Sequence, residues 1–310
     1  MQETKSIFVL LYHPWMDGFQ ECFTAHLSWL RENGFESIPL ENLIQYLRGE
    51  EILIPEKPIA LTLDDGTIEN YDIAYPLLKK YGFIGTIFAP TANRYIDMSG
   101  KDWWKEVEGE GVLKIEGHSH THSFIFVNNH VDDFYIRESQ DREPIIKGLD
   151  PRPGAPIFGL AYELVSQRFV PRRELIDMCV DYVRKHGGKN FFKRERWKKE
   201  LLRLISKYPK DRGRYETEEE KRDRIREEIE QSKIIIEETI GHGKEVKFFA
   251  YPFGAYDPHL IEYLKLTGYT GAFTTNPGGN LKGEDPFLIK RMTILEENSF
   301  GGLSRILKEY

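Results

Sequence analysis

Apolar residues along the chain recur with two periods, and the alternation of those periods predicts the architecture. Short apolar runs occur in "SIFVLLYH", "PIALTLDD", "IGTIFAP", "LKIEGHSH", "VKFFAYPFG" and "GAFTTN", each with the length and residue types of a buried strand. Between them the spacing lengthens to that of a helix. Around "FTAHLSWLRENG", the side chains of Phe19, Phe23, Leu27 and Leu30 share one helical face, and Gly34 supplies a stop. "LENLIQYLRG" follows Pro39, "IENYDIAYPLLKKYG" keeps helical spacing despite Pro76, and "DPHLIEYLKLTGY" starts on Asp257-Pro258 and ends at Gly268. Strands alternating with helices in this way predict an α/β domain built on a parallel sheet.

Residues 123 to 245 break the pattern. The stretch opens on the polar and proline-rich "VNNHVDDFYIRESQDREPIIKGLDPRPGAP" and passes into helices such as "RRELIDMCVDYVRKHGG". Its last part, "YETEEEKRDRIREEIEQSKIIIEETIG", sets Ile225, Ile229, Ile236 and Ile240 on one face and reads as one long, half-exposed helix. The expectation is a single domain, 1–310, carrying a largely helical insertion or cap over 123–245.

At 310 residues, with 40% hydrophobic content, the chain is long enough to bury a full core. Its 43 basic and 50 acidic residues leave a formal charge of −7, which gives no overall attraction to nucleic acid. Two cysteines, Cys22 and Cys179, fall in helical patterns and read as core residues rather than a disulfide framework. The apolar run Ile7 to Tyr12 is too short for a membrane span and has no small-residue cleavage site. A cytoplasmic protein without a membrane span is therefore expected.

Unusual polar chemistry collects where the strand-like runs end: Tyr12-His13, Asp64-Asp65, "HSHTH" and "YPFG". In parallel α/β folds the C-terminal strand ends form the active face, so these residues are expected to converge. Two adjacent carboxylates repel each other and are costly to bury without a positive partner. In the tract His118-Ser119-His120-Thr121-His122, the first and last histidines are four apart. On a helix that spacing puts both imidazoles on one face, where they share a divalent metal with a carboxylate. One aspartate then ligates while the other takes a proton from attacking water. The plainer alternative for the aspartate pair is a helix cap, which needs only one carboxylate.

On these residues the sequence resembles the polysaccharide deacetylase (NodB-like) family. Its Thr-Phe-Asp-Asp-Gly motif appears as "TLDDG" from Thr62 to Gly66, with Leu63 at the aromatic position, and its His-Ser/Thr-x-x-His motif appears as His118 to His122. The resemblance implies a distorted, incomplete (β/α) barrel, Asp64 as general base, and Asp65, His118 and His122 as metal ligands, with His120 outside the coordination sphere. The opening "LLYHPWMDG" is similar to the branch containing the poly-β-1,6-N-acetylglucosamine deacetylases. There His13 is implied as the acid that protonates the leaving amine, since no histidine follows His259 in this sequence.

The sequence departs from the family elsewhere. "FAYPFGAYD" replaces the Arg-x-Pro motif and implies a substrate-groove role for Tyr251, Pro252 and Phe253. The arginine that partners the base falls to Arg152 or Arg291. The implied cofactor is one divalent ion; zinc suits an Asp-His-His set, with cobalt, nickel or manganese as substitutes. The expected reaction is removal of N-acetyl groups from an N-acetylated sugar, oligosaccharide or glycoconjugate. Aromatic residues such as Trp103 and Trp104 would line an extended sugar groove. The competing readings are hydrolysis of a non-sugar amide or cyclic ureide, and a catalytically silent carbohydrate-binding module.

Overall fold

The computed structural model describes residues 5–92, 100–136, 145–294, 303–304 and 307. Part of the proline-rich stretch named above, 137–144, lies outside the described residues. The chain divides into two compact units, one formed by residues 1–121 with 227–310 and the other by 122–226.

The first unit is built on β1 (Phe8–Tyr12), β2 (Glu36–Ser37), β3 (Pro58–Asp64), β4 (Gly85–Ala89) and β5 (Leu113–Gly117). The second contributes β6 (Phe124–Phe134), β7 (Ile146–Lys147), β8 (Pro156–Tyr162), β9 (Phe169–Pro171) and β10 (Gly213–Tyr215). The chain then returns to the first unit for β11 (Phe248–Ala250), β12 (Gly271–Phe273) and β13 (Met292–Thr293). All six strands expected from the apolar runs are present; the two-residue β2 and β13 are additions too short to leave a pattern.

In the first unit the strand order is β12-β11-β5-β4-β3-β1-β13, with β2 paired to β3, and every pairing is parallel. The sheet curls into an incomplete (β/α) barrel. Central β3 is buried at all seven positions, which is why it reads as a continuous apolar run rather than an alternation. Helix Leu40–Leu47 packs Leu40, Leu43, Ile44 and Leu47 into a cluster with Val9, Ala60, Phe88, Ala250 and Phe273 from five strands. The segment around Arg291 joins the sheet at both edges. Ile289 bridges Phe273 of β12, and Met292 and Thr293 pair with Leu10 and Leu11 of β1.

The expected helix around Pro76 is present in altered form. A five-residue π-helical turn, Asn70–Ala74, leads into the α-helix Tyr75–Tyr81. Proline has no N–H to give the carbonyl four residues back, and its ring crowds that carbonyl. A wider turn just before it relieves both problems.

The second unit carries strands as well as the expected helices. It opens on the 11-residue β6, which pairs with β7 and antiparallel with β8. A second ribbon joins β9 to β10. Register shifts between Phe126 and Val131, and again at Asp133, interrupt the β6–β8 ladder, so the polar Asn128-Asn129 stretch masked the strand periodicity. Helices Arg173–Lys185 and Trp197–Ser206 supply Leu175, Cys179, Val183, Leu201 and Ile205 to a core with Phe126, Phe134, Phe158 and Phe169.

The long helix Glu218–Ile240 begins in the second unit and ends in the first. Ile225, Ile229, Ile236 and Ile240 are all buried, as the spacing predicts. A reciprocal capping box starts it: Glu220 N–H donates to Thr217 Oγ1 at 3.2 Å, and Thr217 N–H donates to Glu220 Oε2 at 2.8 Å. Thr217→Ala is expected to cost about 1 kcal/mol, measured as a lower denaturant midpoint at unchanged slope.

Candidate active site

Asp64 closes β3, and the chain turns immediately after it. Asp65 and Gly66 both adopt left-handed backbone conformations, with φ of 72° and 59°. Aspartate tolerates that region better than most side chains, and glycine adopts it freely. The turn gives Asp64 a counter-ion of its own, while His118 Nε2 lies between the two carboxylates, 3.8 Å from Asp64 Oδ2 and 3.8 Å from Asp65 Oδ1.

Asp64 faces Arg291. Arg291 Nη1 donates to Asp64 Oδ1 at 2.7 Å and Nη2 to Oδ2 at 2.9 Å, a two-point fork in which both side chains are buried. Arg291 Nε also donates to the Thr274 carbonyl at 2.9 Å. Burial pushes the Asp64 carboxyl up, but Arg291, His118 and His13 together outweigh it and hold the group below the usual carboxylate value. Of the two arginines left open by the sequence, Arg291 makes the pair. Arg152, in the second unit, is instead held by Asp150 and Asp177, at 2.7 and 2.5 Å.

Asp65 faces two other groups. Its Oδ1 lies 3.8 Å from His118 Nε2, and its Oδ2 accepts a 2.7 Å hydrogen bond from the Trp15 indole N–H. His118 is buried, and its Nδ1 donates to the Ala250 carbonyl at 2.8 Å. A carbonyl only accepts, so this bond places a proton on Nδ1, and in the neutral ring Nε2 then carries the lone pair a metal needs.

The segment His118 to Ser123 is a loop rather than the helix that the four-residue histidine spacing suggested. Left-handed conformations at Ser119 and His122, with φ of 65° and 51°, fold it tightly. One donor atom each from Asp65, His118 and His122 comes within 4.8 Å of the others. A carboxylate oxygen and two imidazole nitrogens are the donor types of a three-ligand catalytic zinc site. The residues therefore fit a divalent cation. His120 turns away, its Nδ1 bonded at 2.7 Å to Thr91 Oγ1.

His13, at the end of β1, is half-buried and contributes to the electrostatic environment of Asp64. Its ring meets Trp15 edge-on at 5.7 Å between centroids. Adjacent Tyr12 points the opposite way, as strand geometry requires, with its hydroxyl 3.1 Å from His26 Nδ1.

Several expected groove residues are core residues instead. The Tyr251 ring is fully buried and its hydroxyl donates to the Phe287 carbonyl at 3.0 Å. Pro252 is buried beside it, while Phe253 is exposed, at a φ of 58°. Trp103 and Trp104 are buried in helix Asp102–Gly109. Large aromatics at strand ends and on amphipathic helices stabilise more by leaving water than by waiting for a ligand. The sequence reading missed Trp15, which sits two residues beyond His13 in the same strand-end loop. It also missed Glu228, an acid that falls on the apolar stripe of its helix beside Ile229.

The polysaccharide deacetylase family model matches residues 54–148 and 210–272, half of the chain. YxkH of Bacillus subtilis, which carries the name of a polysaccharide deacetylase, is 37% identical over 86 residues, 26% of this chain and 30% of that protein. A poly-beta-1,6-N-acetyl-D-glucosamine N-deacetylase of Staphylococcus aureus is 28% identical over 116 residues, 36% of this chain and 39% of that one. These matches thus span well under half of the relatives' own length. In fold, a de-N-acetylase from Aggregatibacter actinomycetemcomitans aligns with a TM-score of 0.65 at 19% identity, covering 98% of this chain and 100% of that one. The BpsB deacetylase domain from Bordetella bronchiseptica aligns at 0.63 and 18% identity, covering 93% and 96%. With the family model matched over half of its length and the parallel half-barrel shared in fold, the chain belongs to the polysaccharide deacetylases.

Proposed function

We propose that the chain is a hydrolase that removes N-acetyl groups from an N-acetylhexosamine-containing glycan or glycoconjugate. The observation that carries this reading is the division of labour between Asp64, paired with Arg291, and Asp65, grouped with His118 and His122. Asp65, His118 and His122 would hold a divalent cation, zinc by donor type, which would supply a Lewis acid for the acetyl carbonyl and lower the pKa of a water molecule.

The chain's own residues do the rest. Asp64, kept ionised by Arg291, accepts a proton from the attacking water as the new C–O bond forms. His13 donates a proton to the nitrogen as the C–N bond breaks, because an amine anion is too poor a leaving group to depart alone. The products are acetate and a free amine. Exposed Phe253 offers an apolar face for a sugar ring. The sugar-amide substrate is favoured over a non-sugar amide by the staphylococcal relative, whose name specifies poly-N-acetylglucosamine.

Acetate release from N-acetylglucosamine oligomers tests the reading. Protein stripped by a chelator is expected to be inactive and to regain activity on addition of stoichiometric zinc. Stoichiometric zinc binding without release from any oligomer would move the assignment to a non-sugar amide or to a silent module.

A further inference from the structure

Glu228 is fully buried on helix Glu218–Ile240, yet both of its carboxylate oxygens are spent on the histidine loop. Oε2 accepts from the backbone N–H of His120 at 3.1 Å and from that of Thr121 at 2.8 Å. Oε1 accepts from the Thr121 hydroxyl at 2.9 Å. From the other side, the His120 carbonyl accepts from the N–H groups of Thr91 and Ala92, at 2.9 and 2.7 Å. The peptides lying between His118 and His122 belong to neither helix nor strand. Their hydrogen bonds are met by a side chain more than a hundred residues away in sequence. The acceptor is a buried carboxylate and the donors are part-buried, and hydrogen bonds to a carboxylate are stronger than those between neutral groups.

We propose that Glu228 is a positioning residue for the metal centre: it holds the His118–His122 loop so that the two imidazoles present their nitrogens to one cation. The proposal rests on the metal-centre reading above. A carboxylate suits the task because both oxygens accept. A glutamine of the same size offers one accepting oxygen and one donating nitrogen, and so meets the loop's donors only in part.

The test measures zinc and cobalt(II) affinity by chelator competition, the visible absorption of the cobalt form, and amide exchange at His120 and Thr121. Glu228→Ala is expected to weaken affinity about 10- to 100-fold, the range for loss of an outer-shell partner. The cobalt spectrum should change and both amides should exchange faster. Glu228→Gln should fall between the alanine variant and the wild type, and Glu230→Ala, at an exposed position two residues on, should match the wild type. A folded Glu228→Ala protein with wild-type affinity and wild-type amide protection overturns the proposal. Should that variant fail to fold, Glu228→Gln carries the test: weaker binding with faster exchange supports the role, and unchanged values overturn it. A wild-type protein that binds no divalent ion sinks the metal-centre reading itself, and the Glu228 proposal with it, before any variant is made.

Discussion

Asp64→Asn is expected to lower acetate release roughly 10²- to 10⁴-fold, the contribution of a positioned general base. Asparagine keeps the shape of the side chain and one carbonyl acceptor for Arg291 Nη1, but it has no basic oxygen to take a proton from water. The candidate ligands Asp65, His118 and His122 are themselves unchanged, so metal affinity should remain near the wild-type value while turnover collapses. Turnover within tenfold of the wild type, at equal metal loading, would show that another group is the base. The substitution also leaves the buried Arg291 charge without its anion, so the variant should be assayed well below its own unfolding midpoint and compared per folded molecule.

Arg291→Met should produce the largest loss of stability, about 3–5 kcal/mol, because removing one partner of a buried pair strands the other. The sign of its pH dependence follows from Asp64. In the wild type the carboxyl is held below its ordinary value. It therefore contributes stability that is present above the unfolded-state pKa, near 3.9, and is lost as pH falls through the lower folded value. Without Arg291, which heads the influences that oppose it, the burial penalty is expected to dominate and to raise the folded carboxyl above its unfolded value. The variant then loses stability as pH rises through that raised value. The gap between wild type and variant is thus expected to be widest at neutral pH and to narrow toward pH 4. Denaturant unfolding at the two pH values measures it, and an equal gap at both would rule out Asp64 as the group responsible. The acid limb of the activity profile should also move upward in the variant, since a protonated Asp64 cannot serve as base.

Much of the candidate site was legible because parallel α/β architecture converts sequence separation into spatial convergence. Asp64, Asp65 and His118 each sit at or just beyond the end of a run that reads as a buried strand, and the strands pair in parallel. The conformation of the histidine loop was not legible. Four-residue spacing suggests a helix, whereas the donors converge through left-handed turns at Ser119 and His122, which no periodicity encodes. The choice between Arg152 and Arg291 was also hidden. Each lies beside proline, glycine or polar residues rather than within a long periodic element, and only the closing of the sheet decides between them. The strands of the second unit escaped notice because β6 is bulged and polar in its middle, so neither period holds along its length. Tyr251 was misread for a different reason: a strand-end aromatic that completes the core and one that awaits a sugar look alike until burial is known.

The segment from Ile289 to Thr293, which meets the sheet at β12 and at β1, also sets an order of events for a newly made chain. Asp64 precedes its counter-ion by 227 residues. A chain that has formed β1 to β5 alone carries the aspartate proposed as base but not the guanidinium that pairs with it. Such long-range closure is late and slow relative to local helix formation. The Asp64–Arg291 pair is therefore completed in the same step that joins the two edges of the sheet.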